Sequence, residues 1–550
     1  MYAISGIPRF EKPLHAPLIQ FQNKEEKATL RRIIDTIRID PQRFVRSPMP
    51  LWIGGKSITY SPNKLGLCVA PHNLGCTLGT YVCAAPCQVE QAIESTLQAR
   101  EQWMHIPWFF RLNIFRKAAY LLQHKYFYKA VAVVMEDYSK NPYEAMIDVC
   151  ELIDFWNFNV WFACQIYNEQ PENAAHEFNY ADYRPLQGFV AAIPPNNFVS
   201  IALNLPTAPL VMGNVVVCKP APETIFSFHF MLAVLHEAGL PKDVLSVVHG
   251  DEQMIGEELF SHNQLAAVHF TGSMNTMEMI VENVGQNIKA YKNFPRVVGE
   301  SGGKNPAIIY DDANLAETVS GIVKSAFGAQ GRKCSALSRL YLTRKKWQQM
   351  RPPLLRALAE IKVGDVADFK NYLGAVISQQ EFNKITRYMD HATSCSSTAE
   401  VMGGTYSSLN GWWIHPTIVV MKDSHCELMS EEIFGPVLTV LPMPKEEFEE
   451  KAVALCAEDT PYRLTAKIGT EDIYTLARAL RATRDLAGNI YDWGTTGAVV
   501  NRQWFGGGGK SGSNSKPGSK INLYHWTNPQ NVCLLHLKPN HFIPGYLELT

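Results

Sequence analysis

The residue most suited to covalent chemistry is Cys334. It lies in Ala326-Phe-Gly-Ala-Gln-Gly-Arg-Lys-Cys-Ser-Ala336, which reads as a helix running into a glycine-punctuated turn with the thiol at the bend. Arg332 and Lys333 immediately precede it. Positive charge beside a thiol lowers its pKa and raises the thiolate fraction, the nucleophilic form. Of twelve cysteines this is the only one in such a setting, which predicts an activated nucleophile. A half-buried structural thiol beside a basic surface is the competing reading. Two further residues have the chemistry that a nucleophile of this kind needs. Asn197, in Pro194-Pro-Asn-Asn-Phe198, follows a short apolar run at the carboxyl end of an expected strand, where α/β sheets place ligands. Its amide can donate to a developing oxyanion, or serve only as a turn residue. Glu300, in Gly299-Glu-Ser-Gly-Gly-Lys304, is flanked by small residues that leave room for a carboxylate to reach a water.

Two more motifs suit a nucleotide. Lys219, in Cys218-Lys-Pro220, ends the next expected strand and can reach ribose hydroxyls or phosphate. Phe270-Thr-Gly-Ser273 is a strand followed by a small-residue turn and a helix. At Gly272 and Ser273 a pyrophosphate can approach backbone amides, although the GxGxxG spacing is missing. Gly509-Lys-Ser511 resembles the tail of a P-loop, but the leading glycine position holds Trp504, so an ATPase reading is rejected.

The elements that must position these groups follow from periodicity. Residues 24–39 carry apolar positions at helical spacing with a charged opposite face. Short β-rich pieces occupy 51–81. Residues 88–163 are helical, clearest over 111–120 and 144–162, and the aromatic run 155–162 reads as core. From Arg184 the pattern alternates. Strands are expected at 188–193, 214–218, 245–249 and 266–270, with a helix over 224–238 stopped by Gly239-Leu-Pro241. Fully apolar strands separated by helices imply βαβ units and a doubly wound sheet. A second α/β series has strands at 307–310, 340–342 and 437–441. The fold class is therefore α/β, with two α/β domains meeting near Glu300. Gly506–Gly509 and Ser511–Ser519 form the one low-complexity segment, read as a surface loop.

Bulk properties narrow the function. The chain has 550 residues, 51 basic and 52 acidic, with a net charge of -1, so no global field points to nucleic acid or an anionic membrane. A 46% hydrophobic and 19% charged composition is that of a soluble globular protein, and no run of eighteen apolar residues suggests a membrane span. Met1–Pro8 has no secretory signature, and a single arginine, Arg9, ahead of Glu11 makes no transit peptide. The cysteines are scattered, with no CxxC and no Cys/His cluster. The sixteen histidines show no ligand spacing, so neither a disulfide framework nor a metal site is expected, and a reducing compartment fits.

Taken together these residues resemble the aldehyde dehydrogenase superfamily from about residue 50 to the C-terminus. The resemblance rests on Pro195-x-Asn-Phe198, Lys219-Pro220, Phe270–Ser273, Glu300-x-Gly-Gly-Lys304, Cys334 and Glu431-Glu-Ile-Phe-Gly-Pro436. Within the superfamily the chain is most similar to the 1-pyrroline-5-carboxylate (glutamate-γ-semialdehyde) dehydrogenases. Gly188–Ile193, Gly299–Asn305, Lys333–Ala336 with Ser338-Arg339, and Thr496-Gly-Ala498 ahead of Phe505-Gly-Gly507 carry that narrower likeness.

The resemblance implies a fold with a Rossmann-like NAD-binding domain, an α/β catalytic domain and a β-hairpin oligomerisation arm. Its expected division is 1–169 (N-terminal helices and part of the NAD-binding domain), 170–184 (the hairpin), 185–299, 300–495 (catalytic), and 496–550 (substrate-anchor loop and oligomerisation segment). It implies Cys334 as nucleophile, Asn197 with the Cys334 N–H as oxyanion donors, and Glu300 as the base that hydrolyses a thioester. It implies NAD held by Pro195, Lys219, Gly272, Ser273, Glu432 and Phe434. The semialdehyde, a small molecule with an α-amino carboxylate, would contact Phe198, Ser335, Gly497, Ala498 and Phe505. The family often has an acid three positions after the lysine, where this chain has Pro222, with Glu223 one step later, so NADP remains open beside NAD. Arg463 and Gly508-Gly-Lys510 also depart from the family pattern. A homodimer or larger homo-oligomer is implied, and in eukaryotes a mitochondrial matrix location in proline breakdown, the cytoplasm being the alternative without a transit signature. An aldehyde dehydrogenase of other specificity, or a catalytically silent binding relative, are the rival readings.

Overall fold

Short runs of Val, Ala, Ile and Leu become the buried strands of two seven-stranded sheets. The computed structural model describes residues 10–492, 494–536 and 546, so the leading stretch Met1–Pro8 lies outside the described residues. The first sheet has the order Arg296–Glu300, Leu265–Thr271, Phe189–Ile193, Val216–Cys218, Leu245–Val247, Leu51–Ile53, Lys56–Ile58. The first five are parallel and the last two form an antiparallel edge. Strand order reverses around Phe189–Ile193: the chain builds outward on one side through 216 and 245, then returns to the other side with 265 and 296. A crevice forms outside the carboxyl ends of strands at such a switch point.

The second sheet runs Thr398–Gly403, Thr417–Met421, Val437–Met443, Leu337–Thr343, Asn305–Ile309, Thr465–Gly469, Asn489–Tyr491. All neighbours are parallel except the edge strand Thr398–Gly403. The first sheet thus ends at Glu300 and the second begins at Asn305, joined by four buried residues.

Helix Lys24–Ile39 matches its periodicity, burying Leu30, Ile34 and Ile37 under an Asn23 cap whose side chain accepts from the Glu25 N–H. Helix Pro142–Asn168 buries Phe155, Trp156, Phe158 and Phe162, as expected of core. Each such side chain contributes roughly 1.5–3 kcal/mol of burial. The helix expected from 224 begins instead as a 3₁₀ turn at Pro222–Thr224 and continues as Ile225–Ala238, because Pro222 leads a tighter first turn.

Two expectations are corrected. Strand Glu177–Arg184 does not fold back as a local hairpin but pairs antiparallel with Asn528–Leu535, from the far end of the chain. Between 170 and 176 only the isolated bridge Ala174–Glu177 forms, and Asn173 turns its side chain onto the Asn179 N–H, so no second local strand arises. The segment 511–519 is no surface loop either. Ser511, Ser515 and Ser519 are buried, the Ser301 N–H donates to Ser511 O, and the Ser513 N–H donates to Gly299 O. Small residues let this segment lie directly against strand Arg296–Glu300.

Candidate active site

Cys334 follows helix Leu315–Phe327 through a left-handed turn in which Ala329, Gln330 and Gly331 have φ of 49, 57 and 66°. A Cβ at Gly331 would stand 2.3 Å from Gly435 O, so this close approach requires glycine. Non-glycine residues in this region cost of order 1–3 kcal/mol each. Here the cost is offset in part by Gln330, which donates to Ser139 O at 2.5 Å. Beyond the turn, Asn305 clamps the nucleophile's backbone. Its Nδ2 donates to Cys334 O (2.7 Å) and Ala336 O (2.8 Å), while its Oδ1 accepts from the Thr465 N–H (3.0 Å).

The electrostatics reverse the expectation from neighbouring residues. Arg332 is buried, donates to Glu381 (3.1 Å) and to Asn196 Oδ1 (2.9 Å), and lies over the Phe434 ring at 4.9 Å. Lys333 pairs with Glu144 at 2.9 Å. Both cations are neutralised by carboxylates that the fold brings to them. Burial, followed by the negative charges of Glu432 and Glu300, pushes the Cys334 thiol up to about 12. Cys334 therefore rests as a thiol, and Arg332 and Lys333, engaged with carboxylates, do not bring it below the ordinary thiol range.

Asn197 is buried, and its Nδ2 donates to Arg332 O at 3.0 Å, tying the 194–198 turn to the nucleophile's loop. Its Oδ1 has no hydrogen-bond partner. Asp148 accepts from the N–H groups of Val199 (3.0 Å) and Ser200 (2.9 Å), the first of helix Val199–Val211. Lys140 pairs with Asp148 at 2.7 Å and sits 3.6 Å over the Phe198 ring, fixing that ring from behind.

Glu300 is buried at the end of its strand with Oε2 unpartnered, while Oε1 receives a long 3.4 Å bond from Ser515 Oγ. Burial raises its pKa to about 8, against the Gly507 N–H, the Lys516 charge and Ser515, which favour the carboxylate. A Cβ at Gly506 (φ 120°) would stand 2.8 Å from Glu300 Oε1, so the glycine segment is a lid that only small residues can form.

Glu300, Cys334 and Ser335 open on a cavity of about 910 Å³ whose walls include Phe198, Phe505, Gly497 and Ala498. Thr496 Oγ1 donates to Ser335 O at 2.5 Å and ties the 496–498 loop to the nucleophile's strand. Arg463 does not line this cavity; its guanidinium donates to the carbonyls of Ala457, Thr460 and Tyr462.

Sequence reasoning missed two parts of the wall. Glu151 lines the cavity, accepts from Ser200 Oγ at 3.1 Å, and is pushed by burial and by Asp148 to about 7. A signal existed: Asp148 and Glu151 are one turn apart on a largely apolar helix. The other part is the N-terminal stretch around His15 and Ala16, held where His15 Nδ1 and the Ala16 N–H each lie 2.8 Å from an Asp154 oxygen. No motif marks it.

At the switch-point crevice, Ser273 caps helix Met274–Gln286, accepting from the Thr276 N–H at 3.2 Å, and Gly272 N donates to Glu300 O at 3.2 Å. Lys219, expected to reach ribose hydroxyls or phosphate, is ion-paired with Glu252 at the head of helix Glu252–Ser261. Pro195 is half-buried at the strand end. Glu223 neighbours Asn196, Glu252 and Arg332, and its carboxyl is raised mainly by burial. Glu432 Oε1 accepts from the Gly303 N–H at 2.8 Å, and a Cβ at Gly302 would collide with its Oε2. Phe434 has φ 58° and carries Arg332 on its ring. A helix N-terminus, a strand-end lysine and a carboxylate-lined crevice are the groups that fit a dinucleotide's pyrophosphate and ribose hydroxyls.

One cluster was not expected at all. His391, Cys395 and Cys426 come together at the surface, with the two Sγ atoms 2.9 Å apart and Cys426 Sγ 3.7 Å from His391 Nε2. The expectation of no Cys/His cluster fails because the end of helix Gln379–Ser394 lies beside the start of Glu427–Ser430, which linear spacing does not reveal.

A half-buried thiol, a buried carboxylate and a nucleotide crevice on one α/β framework define a class of covalent, nucleotide-linked α/β enzymes. The chain belongs to the aldehyde dehydrogenase family, whose profile matches residues 63–532. It is 36% identical over 536 residues to the mitochondrial delta-1-pyrroline-5-carboxylate dehydrogenase of Dictyostelium discoideum, covering 96% of this chain and 94% of that protein. The mouse mitochondrial enzyme of the same name is 35% identical over 541 residues, covering 98% and 95%. Among solved structures, the delta-pyrroline-5-carboxylate dehydrogenase of Mycobacterium tuberculosis bound with NAD superposes with a TM-score of 0.93 at 35% identity, covering 99% of this chain and 100% of that one. The Thermus 1-pyrroline-5-carboxylate dehydrogenase with bound NAD gives 0.88 at 28% identity, covering 96% and 99%.

Proposed function

We propose that this protein is an NAD-dependent dehydrogenase that oxidises L-glutamate γ-semialdehyde, in equilibrium with 1-pyrroline-5-carboxylate, to L-glutamate in proline catabolism. The observation that carries this reading is one cavity with Cys334 and Glu300 together with the 497–498 turn and Glu151. A turn of backbone amides suits the α-carboxylate, and the half-buried Glu151 carboxylate suits the α-ammonium. Phe198 and Phe505 flank the aliphatic part, and Ser335 adds a hydroxyl beside the nucleophile.

Cys334 Sγ, once deprotonated, attacks the aldehyde carbon, and Asn197 Nδ2 with the Cys334 N–H holds the oxyanion. When bound, NAD⁺ supplies the hydride acceptor for the resulting thiohemiacetal. Glu300 then takes a proton from a water that attacks the Cys334 thioester, releasing the acid and the thiolate. Pro195, Lys219, Gly272, Ser273, Glu432 and Phe434 would hold the cofactor. Glu223 and Glu252 beside Lys219 favour NAD, because a 2′-phosphate would meet two carboxylates there.

We assign the proposed division 1–169, 170–184, 185–299, 300–495 and 496–550 to nucleotide, arm, nucleotide, catalytic and anchor segments. The exposed ribbon of Glu177–Arg184 and Asn528–Leu535 supports a homodimer or larger homo-oligomer. No helix among the described residues is long and apolar enough to cross a membrane. Mitochondrial relatives in several eukaryotes support the mitochondrial matrix as the location. The deciding assay measures NADH formation with glutamate γ-semialdehyde. Turnover of simple aliphatic aldehydes without it would leave an aldehyde dehydrogenase of other specificity.

A further inference from the structure

Outside the catalytic cavity the geometry points to a second thiol chemistry: we propose that Cys395 and Cys426 form a reversible intramolecular disulfide, with a hydroperoxide or a low-molecular-weight disulfide as oxidant. Cys395 ends helix Gln379–Ser394 and Cys426 precedes the short helix Glu427–Ser430, so the two thiols come from separate elements. Their Sγ atoms are 2.9 Å apart in the reduced chain, and a disulfide of about 2.05 Å needs a closure of about an ångström. Both thiols are half-buried, open to a small oxidant yet held in place.

The two sulfurs are electronically distinct. Burial opposes ionisation of Cys395, but hydrogen bonds from the Cys426 thiol and from the backbone N–H groups of Ser397 and Thr398 outweigh it and hold its pKa below the ordinary thiol value. Cys426 is pushed up, by burial first and then by its bond to Cys395, so it stays the protonated partner. His391 Nε2, 3.7 Å from Cys426 Sγ and 4.0 Å from a Glu427 oxygen, is placed to take that proton. A low-pKa accessible thiol beside a second cysteine is the arrangement of a redox-responsive pair.

The chemistry balances. The Cys395 thiolate attacks one peroxide oxygen, breaking the O–O bond and giving a sulfenic acid and, with a proton, one water. Cys426, losing its proton to His391, attacks the sulfenic sulfur and releases the second water. Two thiols are oxidised and one peroxide is reduced. With a small disulfide in place of peroxide, Cys395 forms a mixed disulfide, which Cys426 resolves, and two small thiols leave. The crosslink would tether the start of the Glu427–Phe434 segment to the helix that carries Glu381, the partner of Arg332, and Tyr388, which bonds Glu431. Neither cysteine lines the catalytic cavity.

The test uses the full-length protein, a few equivalents of hydrogen peroxide or oxidised glutathione, and a tryptic digest without reductant. Cleavage at Arg387, Lys422 and Lys445 separates the two cysteines into peptides 388–422 and 423–445. The expected result is a single species of the two peptides joined, two hydrogens lighter than their sum and parted by dithiothreitol. Cys426→Ser is expected to leave Cys395 trapped as a sulfenic acid or mixed disulfide, with NADH formation by the reduced variant within about twofold of wild type, showing an intact fold. Two results would overturn the proposal. One is both peptides staying reduced while the exposed Cys87 and Cys533 oxidise. The other is purified protein carrying one soft metal ion per chain that Cys395→Ser removes.

Discussion

Cys334 and Cys395 lie in the same half of the chain, and their thiols are driven in opposite directions. Cys334 has two cations next to it in sequence, yet burial and the carboxylates Glu432 and Glu300 keep it protonated. Cys395 has no cation beside it, yet donors from Cys426, Ser397 and Thr398 favour its thiolate. The difference teaches that a thiol answers to the groups facing it in space and to its access to water. Arg332 and Lys333 are spent on Glu381 and Glu144. The Cys334 thiol is thus held protonated, whereas the Cys395 thiol is favoured as the thiolate.

The largest test of this contrast is deletion. Cys334→Ala should lower NADH formation by at least about 10⁴-fold, while Cys395→Ala should leave it within about twofold. Equal losses would erase the distinction between the two sites. Next in size, Glu300→Gln should reduce the steady-state rate by about 10²–10⁴-fold while sparing a first burst of about one NADH per site, read by stopped flow. A lost burst would assign Glu300 to thiol activation rather than to hydrolysis.

The pH profile sharpens the contrast further. Glu300 works as a base only when ionised, and burial places its pKa at about 8. The hydrolysis-limited kcat should therefore fall as pH drops below about 8 and level off above it. Lys516→Met removes a charge that favours the carboxylate, so the rising limb should move to higher pH; a downward move would contradict that assignment. The smallest expected effect is at Lys333. Since Lys333 is paired with Glu144, Lys333→Gln should shift the pH dependence of Cys334 alkylation in the cofactor-free protein by less than about half a unit.

Much of the framework was legible. Helix Lys24–Ile39 and strands such as Phe189–Ile193 announce themselves because burial imposes a period on local sequence. Cys334, Glu300 and Asn197 were legible by their glycine- and proline-rich surroundings, which mark turns at strand ends. The pairing of Glu177–Arg184 with Asn528–Leu535 was not, since strand partners are chosen in space and the sequence near 170 offered a nearer candidate. Nor was the burial of Ser511, Ser515 and Ser519. Serine and glycine read as solvent-loving, but their small volume is what admits them against Glu300.

By itself, then, the sequence determined the elements and the chemical types stationed at their ends: a thiol, an amide, a carboxylate and a glycine turn. Local periodicity and turn chemistry suffice for that. Only the tertiary structure decided the protonation of those groups, the duties of Arg332, Lys333 and Lys219, the place of Glu151 in the cavity wall, and the meeting of His391, Cys395 and Cys426. Each of these depends on desolvation and on partners distant along the chain, which act through space.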